Sequence, residues 1–302
     1  MAVIINLKDG LGNQMFQYAL GYVLSKKNKT ELKLDLRVFE EKKINPPKDY
    51  VQRKYDLDIF GIVPKKPSYI DLIKTFQLNK RYVVRYNINK FLDKFNFTNI
   101  LERGRKFETR ILKNKKKTLY IDGYWQCEKY FSKFRNDILK IFNFESLKKK
   151  QKNIEFTCKI NKEHSVCLNV RRADHMLFDK KEFDVVDFAY YKKAINYFKT
   201  ILSPNVKFYI FSDDLEWCKK IFKNIKNIEI VDYSYSGNKF YNYLYLMTNF
   251  RNFIIPNSTF AWWAAWLSTK KNKIVVAPKR WSGKLSMNKI DILPNKWIKI
   301  SN

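Results

Sequence analysis

From residue 166 onward the 302-residue chain alternates short apolar runs with stretches of helical periodicity, and few architectures accommodate that pattern. Val166–Val170, Lys207–Phe211, Ile228–Val231, Phe253–Ile255 and Ile274–Ala277 read as strands, and Phe188–Leu202, Leu215–Phe222, Phe240–Met247 and Phe260–Leu267 as helices. Short apolar strands separated by helices of about ten residues imply a parallel sheet covered on both faces. Ligands of such sheets sit beyond the carboxyl ends of the strands. Polar residues collect at those ends here. Arg171, Arg172 and Asp174 follow one strand, Ser212, Asp213 and Asp214 a second, and Asn257, Ser258 and Thr259 a third.

The first half opens with an apolar run, Val3 to Leu7, then Asp9-Gly-Leu-Gly-Asn-Gln14 and a helical pattern. This predicts strand, glycine turn and helix, with Gly10 and Gly12 giving a tight turn of positive φ and exposed backbone N–H groups. Asn13 and Gln14 offer amides where the helix N-terminus favours an anion; the plainer alternative is an Asn cap. A dinucleotide fingerprint is excluded, because Met15 stands where the third glycine belongs. Glu31–Leu36 reads as a second strand and Pro46-Pro47 as a loop. The stretch 64–117 is basic, aromatic and helical, an insertion facing an acceptor or a membrane, or a plain subdomain. Leu119–Gln126 reads as a strand ending in an exposed aromatic turn, with Asp122, Tyr124, Trp125 and Gln126 as an acceptor wall. Lysine-rich 143–161 is the candidate linker, giving domains at 1–150 and 151–302.

Sixty basic against 29 acidic residues leave a formal charge of +31, which attracts polyanions. The lysines are scattered, with short clusters at Lys115–Lys117 and Lys148–Lys150, so nucleic acid is not the expected partner. A peripheral hold on an anionic membrane fits better, where each Lys or Arg contributes about 1 kcal/mol. The chain starts on a buried-strand pattern rather than a signal peptide, and no run reaches the length of a span. The expected location is cytoplasmic, at the inner face of the membrane, with Cys127, Cys158, Cys167 and Cys218 reduced.

Adjacent arginines after a buried strand suit a polyanion, because each guanidinium forks onto phosphate through charge-assisted bonds. The competing reading is a structural Arg–Asp pair. Asp213-Asp214 admits a metal reading, against which stands helix capping by Asp213 or Ser212. Asn257, Ser258 and Thr259 either cap a helix or turn donors toward phosphate. Trp262, Trp263 and Trp266 are core, or a stacking platform. Together the halves suggest two sandwiches facing across a cleft and group transfer from a nucleotide-activated donor without a metal.

These segments resemble the bacterial and animal α-1,2-fucosyltransferases. Gly10-Leu-Gly-Asn-Gln-Met-Phe-Gln-Tyr-Ala19 is similar to that family's opening motif, and Asp122-Gly-Tyr-Trp-Gln126 with Glu128–Phe131 to its middle segment. Arg171-Arg172-Ala173-Asp174 is similar to its paired-arginine motif, and Asn257-Ser-Thr-Phe-Ala-Trp-Trp263 to its last. The resemblance implies an α/β, GT-B-like fold of two Rossmann-like domains facing across a cleft. It also implies an inverting, metal-independent transfer, with no cofactor, from GDP-L-fucose to the 2-hydroxyl of a galactose-type acceptor in a surface glycan. By the resemblance, Arg171 and Arg172 bind the donor pyrophosphate, Asp174 serves the nucleotide or orders the arginines, and Gly12, Asn13 and Gln14 approach phosphate and sugar. Asp213, Asp214 and Ser258 line the guanosine side. The chain departs from the family at Asn169, usually His, at Ala173, usually Gly, and over Asn252–Pro256. Asn169 cannot shuttle a proton, which keeps open altered donor choice or a non-catalytic glycan-binding homologue. Asp9, Asp35, Asp122 and Glu128 are the candidate bases, beside a base-free dissociative route.

Overall fold

The computed structural model describes residues 1–41, 52–95, 98–162, 164–172, 186–283 and 287–302. The Pro46-Pro47 loop and the segment holding Ala173 and Asp174 lie outside them. The chain forms two compact units, 1–142 with 289–292, and 143–288 with 293–302. Each is a parallel α/β sandwich, as the alternation predicted.

In the first unit the elements run β1 (Ala2–Asn6), α1 (Leu11–Asn28), β2 (Glu31–Asp35), α2 (Arg37–Glu40), α3 (Tyr69–Lys74), α4 (Tyr82–Lys94), β3 (Asn99–Leu101), α5 (Thr109–Lys113), β4 (Leu119–Asp122) and α6 (Arg135–Ile141). The strands order as β2-β1-β4-β3 and every pair is parallel. β1 is buried along its whole length because helices cover both faces. α1 lies so close to the sheet that a Cβ on Gly21 would stand 2.6 Å from Ile5 Cγ1 and 2.7 Å from Leu32 Cδ1. The opposite sheet face carries Lys33, Asp35 and Asn99, and α3 and α4 meet it with polar side chains. Lys33 pairs with Asp71 at 2.8 Å, and Asn99 donates to Asn89 at 2.7 Å. The insertion of 64–117 therefore contributes a strand, β3, to the sheet. Asn99-Ile-Leu was too short a run to announce one.

In the second unit come α7 (Glu145–Lys148), α8 (Gln151–Lys162), β5 (Ser165–Val170), α9 (Phe188–Ile201), β6 (Lys207–Ser212), α10 (Leu215–Phe222), β7 (Ile228–Ile230), α11 (Tyr241–Thr248), β8 (Asn252–Ile254), α12 (Thr259–Leu267), β9 (Ile274–Pro278) and β10 (Ile298–Ile300). The sheet order is β10-β9-β8-β5-β6-β7, all parallel. Val166, Leu168 and Val170 face a cluster with Tyr190, Tyr191 and Phe198 of α9. The other face packs Tyr209 and Phe211 edge-on against Phe156 of α8. The expected linker at 143–161 is thus replaced by two helices, since Leu147, Phe156 and Ile160 are buried beneath the lysines. Trp262, Trp263 and Trp266 are buried core, which removes the stacking-platform alternative. All four cysteines are free, and no helix among the described residues is long and apolar enough to cross a membrane.

Candidate active site

The second unit brings three of the predicted strand ends together, because β8 and β6 flank β5 in the sheet. β5 and β6 run in register with Val170 opposite Ser212, so the residues that follow meet across the sheet edge. Arg171 Nη1 pairs with Asp213 Oδ2 at 2.9 Å, and the Arg172 backbone N–H donates to Asp213 Oδ1 at 2.8 Å. Arg172 Nε lies 3.4 Å from Asp214 Oδ2, and its guanidinium carbon sits 4.1 Å from the Trp217 ring centroid. The arginines are thus paired with aspartates of the neighbouring strand end; Asp174, the partner the sequence offered, lies outside the described residues. Asp213 and Asp214 are counter-ions of the two arginines, whose side chains remain 30% and 17% exposed. With Asp213 so engaged, the cap of α10 falls to Asp214, whose Oδ1 accepts from Trp217 N at 3.0 Å, and not to Asp213 or Ser212. Ser212 Oγ accepts from Asp214 N at 2.9 Å inside the turn.

Asn169 is buried, its Nδ2 donating to the Phe211 carbonyl at 3.0 Å, while its Oδ1 has no hydrogen-bond partner among the described residues. Asn257 Nδ2 donates to the Trp281 carbonyl at 3.3 Å. Ser258 caps α12 by accepting from Ala261 N at 3.4 Å, and Thr259 is half-buried in the first turn. Among the described residues no cluster of three or more His, Cys, Asp or Glu is placed to hold a metal ion.

In the first unit the glycine turn differs from expectation. The left-handed residue is Asp9, at φ 63°, whereas Gly10 is extended at φ −80° and caps α1, and Gly12 is helical. Aspartate tolerates that conformation because its short polar side chain bonds locally. Gln14, expected to touch the donor, is fully buried and spends its amide on structure. Its Nε2 donates to the carbonyls of Asp9 and Lys54, both at 2.7 Å, and its Oε1 accepts from Asp56 N at 2.9 Å. Asn13 Oδ1 accepts from Gln126 Nε2 at 2.7 Å, and Gln126 Oε1 accepts from Arg105 Nη1 at 3.3 Å. The opening motif and the Asp122–Gln126 segment are thus one hydrogen-bonded cluster.

The expected exposed aromatic turn is mostly internal. Trp125 is completely buried, and Asp122, also buried, is ion-paired to Lys8 at 2.7 Å. Only Tyr124 of the four is half-buried, its ring under Lys8 Nζ at 4.9 Å and Arg105 at 5.2 Å. Burial alone would lower the Lys8 ammonium, but the Asp122 carboxylate and the Tyr82 and Tyr124 phenols hold it well above its ordinary range. Asp35 is likewise committed. Burial would raise its carboxyl, yet paired bonds from Arg37 and one from Tyr120 hold it low. Two of the four candidate bases are therefore locked in ion pairs.

Sequence reasoning missed Glu102, at the carboxyl end of β3. Its two oxygens accept from the backbone N–H groups of Tyr124 at 2.7 Å and Trp125 at 2.9 Å. Burial pushes its carboxyl up to about 7 despite those donors and Arg105. Gly123, at φ 151°, sits against the Glu102 side chain with no room for a Cβ. The signal available was the strand-end rule applied to the second unit, but it needed β3 to be recognised.

The family model described as Glycosyl transferase family 11 matches residues 2–301. Over 304 residues the chain is 31% identical to an alpha-1,2-colitosyltransferase of Escherichia coli, covering 99% of this chain and 98% of that one. Over 316 residues it is 30% identical to the O-antigen biosynthesis glycosyltransferase WbnK of Escherichia coli, covering 97% and 99%. Among solved structures it is similar to fucosyltransferase NodZ from Bradyrhizobium, at TM-score 0.44 and 15% identity, over 87% of this chain and 92% of that one.

Proposed function

This chain belongs to glycosyl transferase family 11, and from that membership we propose that it transfers a GDP-activated deoxysugar, L-fucose or a close relative, to a hydroxyl of a glycan. The transfer inverts the β-linked donor to an α-linkage on the 2-hydroxyl of a galactose-type residue in a lipid-linked or surface glycan. The observation that carries this reading is the pair Arg171 and Arg172 at the carboxyl edge of β5, held by Asp213 and Asp214 from β6. The transition state resembles an oxocarbenium ion separating from GDP, so the main task is to stabilise charge on the departing diphosphate. Guanidinium groups fixed in advance by carboxylates do this without reorganising as the bond breaks. The orphaned Oδ1 of Asn169 supports a nearby hydroxyl or ring N–H of the donor, a role open to an amide where proton transfer is not. That relatives of similar identity are named for colitose transfer and for O-antigen synthesis supports a deoxysugar donor and a surface-glycan acceptor. Because the two carboxylates already serve the arginines, the reading places no metal ion on them.

A thermal-shift panel of GDP, UDP and CMP, each with and without excess EDTA, tests it. GDP is expected to raise the melting temperature well above the other two, unchanged by chelation. Equal or greater stabilisation by UDP overturns the donor class, and loss of the GDP effect in EDTA revives a metal at Asp213 and Asp214. Release of GDP from GDP-fucose in the presence of lactose then separates an enzyme from a binding homologue.

A further inference from the structure

Helices α3 and α4 are built inside out. A helix on a soluble surface buries its apolar stripe and shows its polar one. Here α4 buries Arg85, Asn89 and Asp93, and α3 and its following turn bury Asp71, Thr75 and Gln77. The reason is the polar positions, Lys33 and Asn99, on the sheet face below. Asp71 meets Lys33 at 2.8 Å, Asn89 accepts from both Gln77 and Asn99 at 2.7 Å, and Asp93 holds Arg103 and Arg110 at 2.7 Å each. Leu92 is buried beside them, but most apolar residues of the same segment are left outside. Ile70, Ile73, Phe76, Val83, Phe91 and Phe95 are each between 46% and 67% exposed. Scattered apolar side chains need no explanation, but six half-exposed ones gathered on one short segment, with Phe91 and Phe95 in ring contact, mark a surface that is covered in use.

The charges on the segment say what covers it. Between residues 64 and 95 the only carboxylates are Asp71 and Asp93, both buried and paired, whereas Lys74, Lys80, Arg81, Lys90 and Lys94 are exposed. A second copy seated on the same face by a two-fold axis would set these cations against one another. Anionic headgroups would meet them while the phenylalanines and isoleucines enter the acyl boundary, as in interfacial helices with basic and apolar faces.

We propose that the α3–α4 face docks this protein on an anionic lipid bilayer. It does not rest on the donor sugar or on catalysis, and would stand if the nucleotide reading failed.

The test is co-sedimentation of the full chain with phosphatidylcholine vesicles, with and without phosphatidylglycerol. Wild type is expected to bind only the anionic vesicles, and Phe91→Glu with Phe95→Glu to weaken that binding by about tenfold or more per ring, the change that losing burial of a phenylalanine implies. Transfer to a soluble acceptor stays unchanged in the variant. Hydrogen exchange on wild type supplies a second measurement that needs no substitution, with amides of 69–95 expected to gain protection when anionic vesicles are added. Failure to bind anionic vesicles, binding that survives the variant, or protection elsewhere but not in 69–95 overturns the proposal. So does a wild-type dimer in ultracentrifugation that the variant dissociates without any vesicle binding.

Discussion

An ion pair at a sheet edge can be scaffold or receptor, and Arg171 is where the two roles part. Its partner Asp213 also takes the Arg172 backbone N–H, so removing the arginine leaves that carboxylate still bonded. Arg171→Ala is therefore expected to fold, to lose most of the melting-temperature rise given by GDP, and to lower kcat about a hundredfold or more, the scale for removing an aligned donor from a charge-stabilising site. Transfer at the wild-type rate would remove the phosphate role. Glu102 gives a prediction of a different kind. The folded protein keeps its proton up to about pH 7, whereas the unfolded chain releases it near the ordinary 4.5. Between those values the native state binds more protons, so stability falls as pH rises through this window and is level above it. Melting curves from pH 4.5 to 8.5 should show that slope in wild type and a shallower one in Glu102→Gln; identical slopes would mean Glu102 is not the group. Arg171 and Asp213 were legible because each ends an apolar run, and a parallel register does the rest. The sequence shows the amide of Gln14 but not the Asp9 and Lys54 carbonyls and the Asp56 N–H that satisfy it.

At the scale of elements, what decided legibility was whether a segment's pattern stated its own burial. Five strands of the second unit, β5 to β9, are dominated by apolar residues and agree with the sequence pattern to within one residue at each end. β3 and β10 have three residues apiece and owe their existence to β4 and β9 beside them. Helix α8 hid behind its lysines, and α4 hid because its buried stripe is the polar one. The tight seating of α1 on β1 and β2 could not be foreseen from a lone glycine. Gly21→Val should cost about 1–3 kcal/mol, the usual penalty of overpacking a filled core, since its Cβ has no space between Ile5 and Leu32. Denaturant unfolding that shows no loss would mean that α1 can lift off the sheet freely. Helix α12 shows the converse economy. Ser258 closes one end, and Lys273 Nζ the other, donating to the carbonyls of Ala265 at 2.5 Å and Ser268 at 3.0 Å. An apolar helix in the core thereby leaves fewer terminal backbone groups unsatisfied.

Over the whole molecule the chain does not divide at one point. Having left the first unit at Phe142, it returns for 289–292, where Ile290 bridges Arg105 and Asp291 accepts from Phe107 N at 3.1 Å, before β10 closes the edge of the second sheet. A chain stopped at Asn288 should therefore lose protection in two places at once, around Arg105–Phe107 and along β9, as read by hydrogen exchange; loss confined to β9 would make the return segment dispensable to the first unit. Net charge adds a property of the same scale, a general attraction to anionic surfaces that weakens with salt, on which the α3–α4 face imposes an orientation. The return of 289–292 also sets a clock. Domains are ordinarily finished in the order in which the ribosome delivers them, but here residues 143–288 must all be translated first, a wait of roughly 7–30 s at common elongation rates. The amino-terminal half of this protein is begun early and completed late, with most of its neighbour's strands already made.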